Sequence, residues 1–422
     1  MQVNIASPNK IYIIIPIIIG AYMSGLVYLS EGSAIPLTIF QLALIAGFAV
    51  FVFYIFAVKN LEIQFYGLEK EYILFLSIIF FSLIYSPERE QGIFYVIRYM
   101  VLIGMTYLIY NCIETAKNLN AAIKVIIGAA FLLALGNIYQ FYINPEVAAF
   151  NYVNQGARLI RSSGAEADPN ILASNFFMPI MLVIVFIGRF KTKRAQLLLF
   201  SMVGVMIFSV LLTYSRSSWV ALFVGVLLVS LIQRDGRFII LSTVIFLLLF
   251  LVSDSIRTIF FSILERLGDV FAGTSDDSSK FRIILFQTAI LMWLDTYTFG
   301  IGYQGFSTVF KEYHPPQETA WIYEPHNEFY TVLAELGTIG FVVFVYLILK
   351  ILKRGWNSVM LLKNSGKDYS IQLALFASFI CYLVFFQFLG GMQLHSLYMI
   401  NIGLLFASIK IAHIEEGQAA TS

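Results

Sequence analysis

"LLLFSMVGVMIFSVLLTYSRSSWVALFVGVLLVSLI" runs from Leu197 to Ile232. Two apolar runs flank a short polar hairpin, "TYSRSSW", at Thr213 to Trp219. Each run is close to the ~20 residues that an α-helix needs to cross a bilayer core. The runs are uniformly apolar, whereas the strands of a membrane barrel alternate. In an open, non-barrel protein only helices satisfy their own backbone inside lipid. The stretch predicts a helical membrane hairpin with one arginine held at its turn.

The rest of the chain has the same texture. Its 422 residues are 59% hydrophobic and 12% charged, with a mean hydropathy of +0.82. That composition excludes a soluble domain. Apolar tracts lie near 11–29, 35–58, 72–85, 93–113, 121–143, 171–188, 196–213, 218–233, 238–253, 328–350, 371–389 and 395–412. They predict an all-α integral membrane protein of about twelve transmembrane helices. The tract at 72–85 is short, and 283–294 is too short to span, which predicts an interfacial or re-entrant piece. With no repeat and no appended soluble domain, residues 1–422 read as a single polytopic membrane domain. Cys112 and Cys381 lie in or beside spans and suit neither a disulfide nor a metal site.

Basic residues set the orientation. With both termini cytoplasmic, the outward side holds Arg89, Arg98, Arg158, Arg161, Arg216, Arg257, Arg266, Lys280, Arg282 and Lys311. The other 17 of the 27 basic residues fall on the cytoplasmic side, in shorter loops. Two outward loops are long, at 144–170 and 254–327. The second is expected to carry part of an active site, because loops on a rigid scaffold are where chemistry usually sits.

Several residues stand out. Arg216 is fixed at a membrane boundary by the tight hairpin, and its planar fork suits phosphate oxygens; the plain alternative is an arginine that snorkels to the interface. Arg282 follows the acidic "GTSDDSS" at the start of a helical segment, where the helix dipole disfavours a cation unless an anion binds beside it. His326 lies in "IYEPHNEFYTVLAELGTIGFVVF", Ile322 to Phe344. Pro325 restricts the backbone before it, and Asn327 is a candidate helix cap. An imidazole held there suits a proton acceptor, although a lone histidine is more often structural. Glu335, about 12 Å along the following helix, should face protein and have a partner, with Gly337 and Gly340 allowing another helix to approach. Arg158, Arg161, Asn327, Glu324 and Arg98 are further candidates for substrate contact. Asp168 or Asn170 could cap the span after "RSSGAEADPN". No metalloprotease, P-loop or nucleophile-elbow motif is present, and no metal site or cofactor is expected. Nor is a nucleic-acid partner.

A "T-x-S-R" hairpin, an arginine some dozens of residues later, "FGIGYQGF" at Phe299 to Phe306 and "HNEFYTVLAELGTIG" occur in that order. In this the chain resembles the O-antigen ligase/polymerase superfamily of bacterial envelope glycosyltransferases. The resemblance is carried by residues from about Arg161 to Gly340, and "RSSGAEADPN" is similar to the family's loop before the sixth span. It implies a GT-C-like bundle in the bacterial inner membrane with its active site on the periplasmic face. It implies a donor glycan linked to undecaprenyl pyrophosphate, transferred to a sugar hydroxyl without an essential metal. By the same resemblance Arg216 and Arg282 would bind the pyrophosphate and His326 would deprotonate the acceptor.

The superfamily holds polymerases, which extend a lipid-linked repeat unit, and ligases, which transfer finished glycan to lipid A–core. From 255 to 327 and from 144 to 170 the chain has seven basic and eleven acidic residues. Lipid A–core is rich in phosphate and calls for a basic partner, so the acidic excess favours a polymerase. A separate chain-length regulator is then a candidate partner, beside the membrane lipids. A lipid-linked glycan transporter is the reading from another class. It would want midplane charges and repeated broken helices, which the sequence does not display.

Overall fold

Both apolar runs around Arg216 are helices, and helices make up nearly all of the computed structural model. It describes residues 10–23, 38–57, 63–143, 149–154, 157–163, 168–187, 192–234, 236, 277–313 and 325–421; for 149–161, 277–283, 393 and 415–421 the description covers the backbone. In chain order come α1 (Ile11–Tyr22), α2 (Ile39–Ala57), α3 (Glu69–Ser82), α4 (Arg89–Cys112) and α5 (Ala116–Ile143). Strands β1 (Ala149–Asn154) and β2 (Ala157–Ser162) follow. Then come α6 (Pro169–Ser174), α7 (Phe177–Ile187), α8 (Lys193–Leu212), α9 (Arg216–Gln233), α10 (Asp277–Thr296) and α11 (Phe306–Tyr313). The chain closes with α12 (Glu328–Asn364), α13 (Ser370–Phe385), a 3-10 turn (Met392–Leu394) and α14 (Ser396–Thr421).

Among the described residues, eight helical segments are long and apolar enough to cross a membrane, and three shorter apolar helices accompany them. The chain is a multi-pass, essentially all-α membrane protein. The expected span at 238–253 lies outside the described residues, as do 254–276 and 314–324 of the loop at 254–327. The expected span at 171–188 is two helices, α6 and α7, joined through a turn at Asn175 and Phe176. The expected loop at 144–170 contains an antiparallel hairpin, with Ala149 opposite Ser162 and Asn154 opposite Ala157. A hairpin lets this segment pair its own backbone groups.

Directions follow from contacts. Helices α4 and α14 run parallel: Arg98 Nη2 reaches Leu394 O at 3.4 Å near one end, and Lys410 Nζ donates to Tyr110 O at 2.5 Å near the other. Helix α3 runs antiparallel to the later part of α12, with Phe75 and Phe344 rings 5.7 Å apart and Lys350 paired with Glu71 at 2.5 Å. Helices α9 and α13 touch at Gly225, where a Cβ would stand 2.4 Å from Cys381 Sγ. A small residue permits this close crossing. One apolar cluster runs through these helices. A smaller one joins Leu285, Ala289 and Met292 of α10 to Phe306, Phe310 and Ala334.

The feature that shapes the site is a break in α12. Gly337 has φ 63° and ψ −167°, outside the helical region, and divides α12 into 328–336 and 338–364. The halves fold toward each other: the Phe329 ring is 5.4 Å from Phe344 and 6.5 Å from Phe341. In a straight helix residues 329 and 344 would be about 22 Å apart. The break frees backbone groups, and the 297–302 turn takes them up. Ile301 N and Gly302 N donate to Ala334 O and Glu335 O, each at 3.0 Å, while Thr338 N and Ile339 N donate to Tyr297 O and Thr298 O at 3.0 and 3.3 Å. Gly300 and Gly337 meet backbone to backbone, since a Cβ on either would lie about 2.5 Å from the other strand's atoms.

The segment expected to be interfacial or re-entrant, 283–294, is part of α10. Phe286 packs on Tyr330 at 4.6 Å and Trp293 Nε1 donates to Thr338 Oγ1 at 3.0 Å. Helix α10 therefore runs alongside the first half of α12 in the same direction, and the chain then turns back through 297–305. That turn also rests on the α3–α4 connection, where Ser86 Oγ donates to Tyr303 O at 2.7 Å and Tyr85 Oη to Phe299 O at 2.7 Å.

Candidate functional site

Arg216 is the first residue of α9. Tyr214 before it has φ 52°, and Ser215 is the cap residue with extended backbone. This sharp approach is what a three-residue connection between antiparallel helices requires. The serines of "SRSS" have a definite task. Ser215 Oγ donates to Asn170 Oδ1 at 2.8 Å and lies 2.8 Å from Ser218 Oγ. They fasten the hairpin to α6 and leave the half-buried Arg216 on the N-terminal end of α9. That end carries the positive pole of the helix dipole, so an anion binding beside Arg216 would meet the guanidinium and the helix end together.

His326 lies between Pro325 and Asn327 with φ 48°, a left-handed conformation uncommon for a non-glycine residue. The cap expected at Asn327 is present: its Oδ1 accepts from Phe329 N at 2.9 Å and Tyr330 N at 3.1 Å. Its Nδ2 donates to Gln387 O at 2.9 Å. Glu328 adds a second attachment. Its N–H donates to Phe386 O at 3.0 Å, and its Oε2 accepts from Gly391 N at 2.6 Å and Met392 N at 3.1 Å. The half-helix that follows His326 is thus clamped to the turn between α13 and α14.

The same turn carries His395. Its Nδ1 accepts from Tyr398 N at 3.2 Å, so Nε2 holds the proton and donates to Ser174 Oγ at 2.9 Å. Ser174 Oγ in turn donates to Ile171 O at 2.7 Å. The rings of Tyr382 and Phe386 lie 5.4 and 5.8 Å away. Burial, and secondarily the Arg98 charge, push the His395 pKa down to about 3.

These links form one belt. Helix α6 holds the start of α9 through Asn170 and the 386–395 turn through Ser174. That turn holds the start of α12 through Asn327 and Glu328. Arg98 joins from α4, exposed, with Nη2 3.4 Å from Leu394 O. Arg282 is one helical turn before Phe286, and His326 is four residues before Tyr330. Because those two rings pack together and the helices run the same way, the backbone sets Arg282 and His326 at similar heights.

The other expected residues divide. Arg158 and Arg161 stand on β2, opposite Val153 and Phe150. The end of that strand is tied to the bundle, since Ser162 Oγ donates to Asn137 Oδ1 at 2.6 Å and Asn137 Nδ2 to Ser209 Oγ at 2.8 Å. Asp168 caps α6 by accepting from Asn170 N at 2.6 Å. Glu324 lies outside the described residues. Glu335 is buried and has a partner, as expected, accepting from Phe306 N at 3.2 Å. It stands at the break, at the far end of the half-helix from His326. The approach allowed by Gly337 is made by the 298–300 turn and not by another helix.

The model of the family described as O-antigen ligase matches residues 200–345. This segment belongs to the O-antigen ligase/polymerase superfamily. The matched O-antigen ligase segment contains Arg216, Arg282 and His326, together with the broken half-helix. The family's members are glycosyl-transferring enzymes, with lipid-linked glycans in membranes as substrates. No curated protein matches the chain.

Four residues that grip the belt escape a reading of the sequence: Glu328, Gln387, Ser174 and His395. Three of them fall outside the matched O-antigen ligase segment. The glycine pair in "QFLGGMQLH", Gln387 to His395, is the signal that could have found this turn.

Proposed function

We propose that the protein transfers a glycan from undecaprenyl pyrophosphate to a sugar hydroxyl, on the periplasmic side of the bacterial inner membrane. The observation that carries this reading is the belt: the start of α9 with Arg216 is bonded to α6, α6 is bonded to the 386–395 turn, and that turn is bonded to the start of α12 with His326, with Arg282 at similar height. A base takes the proton of the acceptor hydroxyl at His326, and that oxygen attacks the anomeric carbon of the donor. The bond from that carbon to the pyrophosphate oxygen breaks. Arg216 and Arg282 meet the charge that grows on the leaving pyrophosphate, as preorganised electrostatics. No metal takes part in this scheme, so chelators should leave the rate unchanged.

The acidic excess of the two long loops favours a lipid-linked repeat unit as acceptor, which makes the protein a polymerase. Purified protein with one synthetic undecaprenyl-pyrophosphate repeat unit and no other acceptor tests both levels. A ladder of longer lipid-linked glycans is expected, and the ladder should vanish in His326→Ala while donor binding persists. A base is worth about 10²–10⁴-fold, so full activity in that variant removes the assignment. Transfer seen only after lipid A–core is added would make the protein a ligase.

A further inference from the structure

His326 is held in a strained backbone conformation, and something must keep it there. On its C-terminal side the grip is Asn327 and Glu328 on the 386–395 turn. Asn327 is also the helix cap, so its loss would unravel the helix start. Glu328 is different. It stands in the first turn of α12, where a negative charge suits the helix dipole, and its side chain crosses to Gly391 N and Met392 N, at 2.6 and 3.1 Å. The residue is only 3% exposed. A buried carboxylate is costly unless its oxygens are bonded, and charge-assisted bonds from backbone amides are among the strong ones. Gly391 has φ 82°, a left-handed turn that aims its N–H and the next one at a single point. Successive amides in such a turn form a nest for an anion. Here the anion is Glu328.

We propose that Glu328 is the positioning residue for His326: its carboxylate, seated in the Gly391–Met392 nest, sets where the imidazole stands relative to the donor. This rests on the reading of His326 as the base. A displacement of about 1 Å in a reacting group costs up to about a hundredfold in rate. A positioning role therefore predicts a loss in kcat without a matching loss in donor affinity.

The test is the polymerisation assay with purified full-length protein and the synthetic undecaprenyl-pyrophosphate repeat unit. In Glu328→Gln the neutral carboxamide is a weaker acceptor and puts a donor in place of one oxygen. Its kcat should fall about ten- to a hundredfold, with the donor KM within about twofold of the parent. Gly391→Ala attacks the same contact from the other side. A Cβ there meets nothing within 4 Å, so only the turn conformation is disturbed. It should lower kcat in the same way. The double variant should lose little more than the worse single one, because both break one interaction. Unchanged kcat in both singles, additive losses in the double, or a change confined to KM would each overturn the proposal. His326→Ala in the same assay separates the two levels. If it is dead while Glu328→Gln is unaffected, only the positioning role fails. If it retains full activity, the base reading fails and takes the positioning role with it.

Discussion

Arg216 is where the identity of one side chain should matter most. It stands on the first turn of a helix, where a cation is disfavoured unless an anion is at hand. Lysine would keep the charge but lose the planar fork that takes two phosphate oxygens at once. Arg216→Lys should therefore reduce kcat/KM nearly as far as Arg216→Ala; rescue by lysine would mean that a point charge suffices. His395 gives a prediction on stability with a definite sign. Its folded pKa is about 3, against an ordinary value of 6.5. The unfolded chain takes up a proton below 6.5 and the folded chain does not. The stabilisation is full above 6.5 and drains as pH falls toward 3, by at most about 1.4 kcal/mol per pH unit for this one group. Thermal melts in detergent should show the parent losing stability from pH 6.5 to 4 more steeply than His395→Gln. Parallel curves would show that His395 does not titrate this way.

Among the elements, the break in α12 is the most sensitive. At Gly337 an added Cβ would need φ 63° and would stand 2.4 Å from Thr298 O. Gly337→Ala should cost at least about 2 kcal/mol, combining a left-handed backbone penalty with a collision against backbone that cannot yield. Thermal unfolding measures it, and a neutral result would mean that the break is not needed for the fold. This element also shows what the sequence made legible. The apolar tracts gave the helices, because lipid leaves a backbone no other partner. "HNEF" gave the cap at Asn327, because an asparagine before a helical run has few other uses. The break was not legible. An uninterrupted apolar pattern from 328 to 350 reads as one helix, and only pairing with the glycine-rich 297–302 turn, about forty residues earlier, makes a break cheaper than a straight span. That is why Glu335 was expected deep along a helix and is found at its corner. The arginines and His326 stood out in the sequence as candidates for chemistry. Their neighbours on the 386–395 turn were not, because Glu328 and Gly391 make sense only once they are seen to touch.

At the scale of the whole molecule, the question is which end faces out. The bundle's two ends differ in charge. Toward the end away from the belt, Lys10 pairs with Glu114 at 2.7 Å, Lys410 donates to Tyr110 O, Arg354 to Tyr66 O and Lys363 to Ile232 O. These cations take up carbonyls of helix ends and loops, and the positive-inside rule would put this end in the cytoplasm. The belt would then face the periplasm. Both native cysteines are buried, which leaves a quiet background for labelling. Glu90 is exposed in the first turn of α4, beside the α3–α4 connection, and Ser365 is exposed in the turn after α12. In intact spheroplasts a membrane-impermeant maleimide should label Glu90→Cys at once and Ser365→Cys only after permeabilisation. The reverse pattern would invert the molecule. It would put His326 on the leaflet opposite the proposed periplasmic donor, and the transfer reaction could not run as written, whatever the side chains at the site can do.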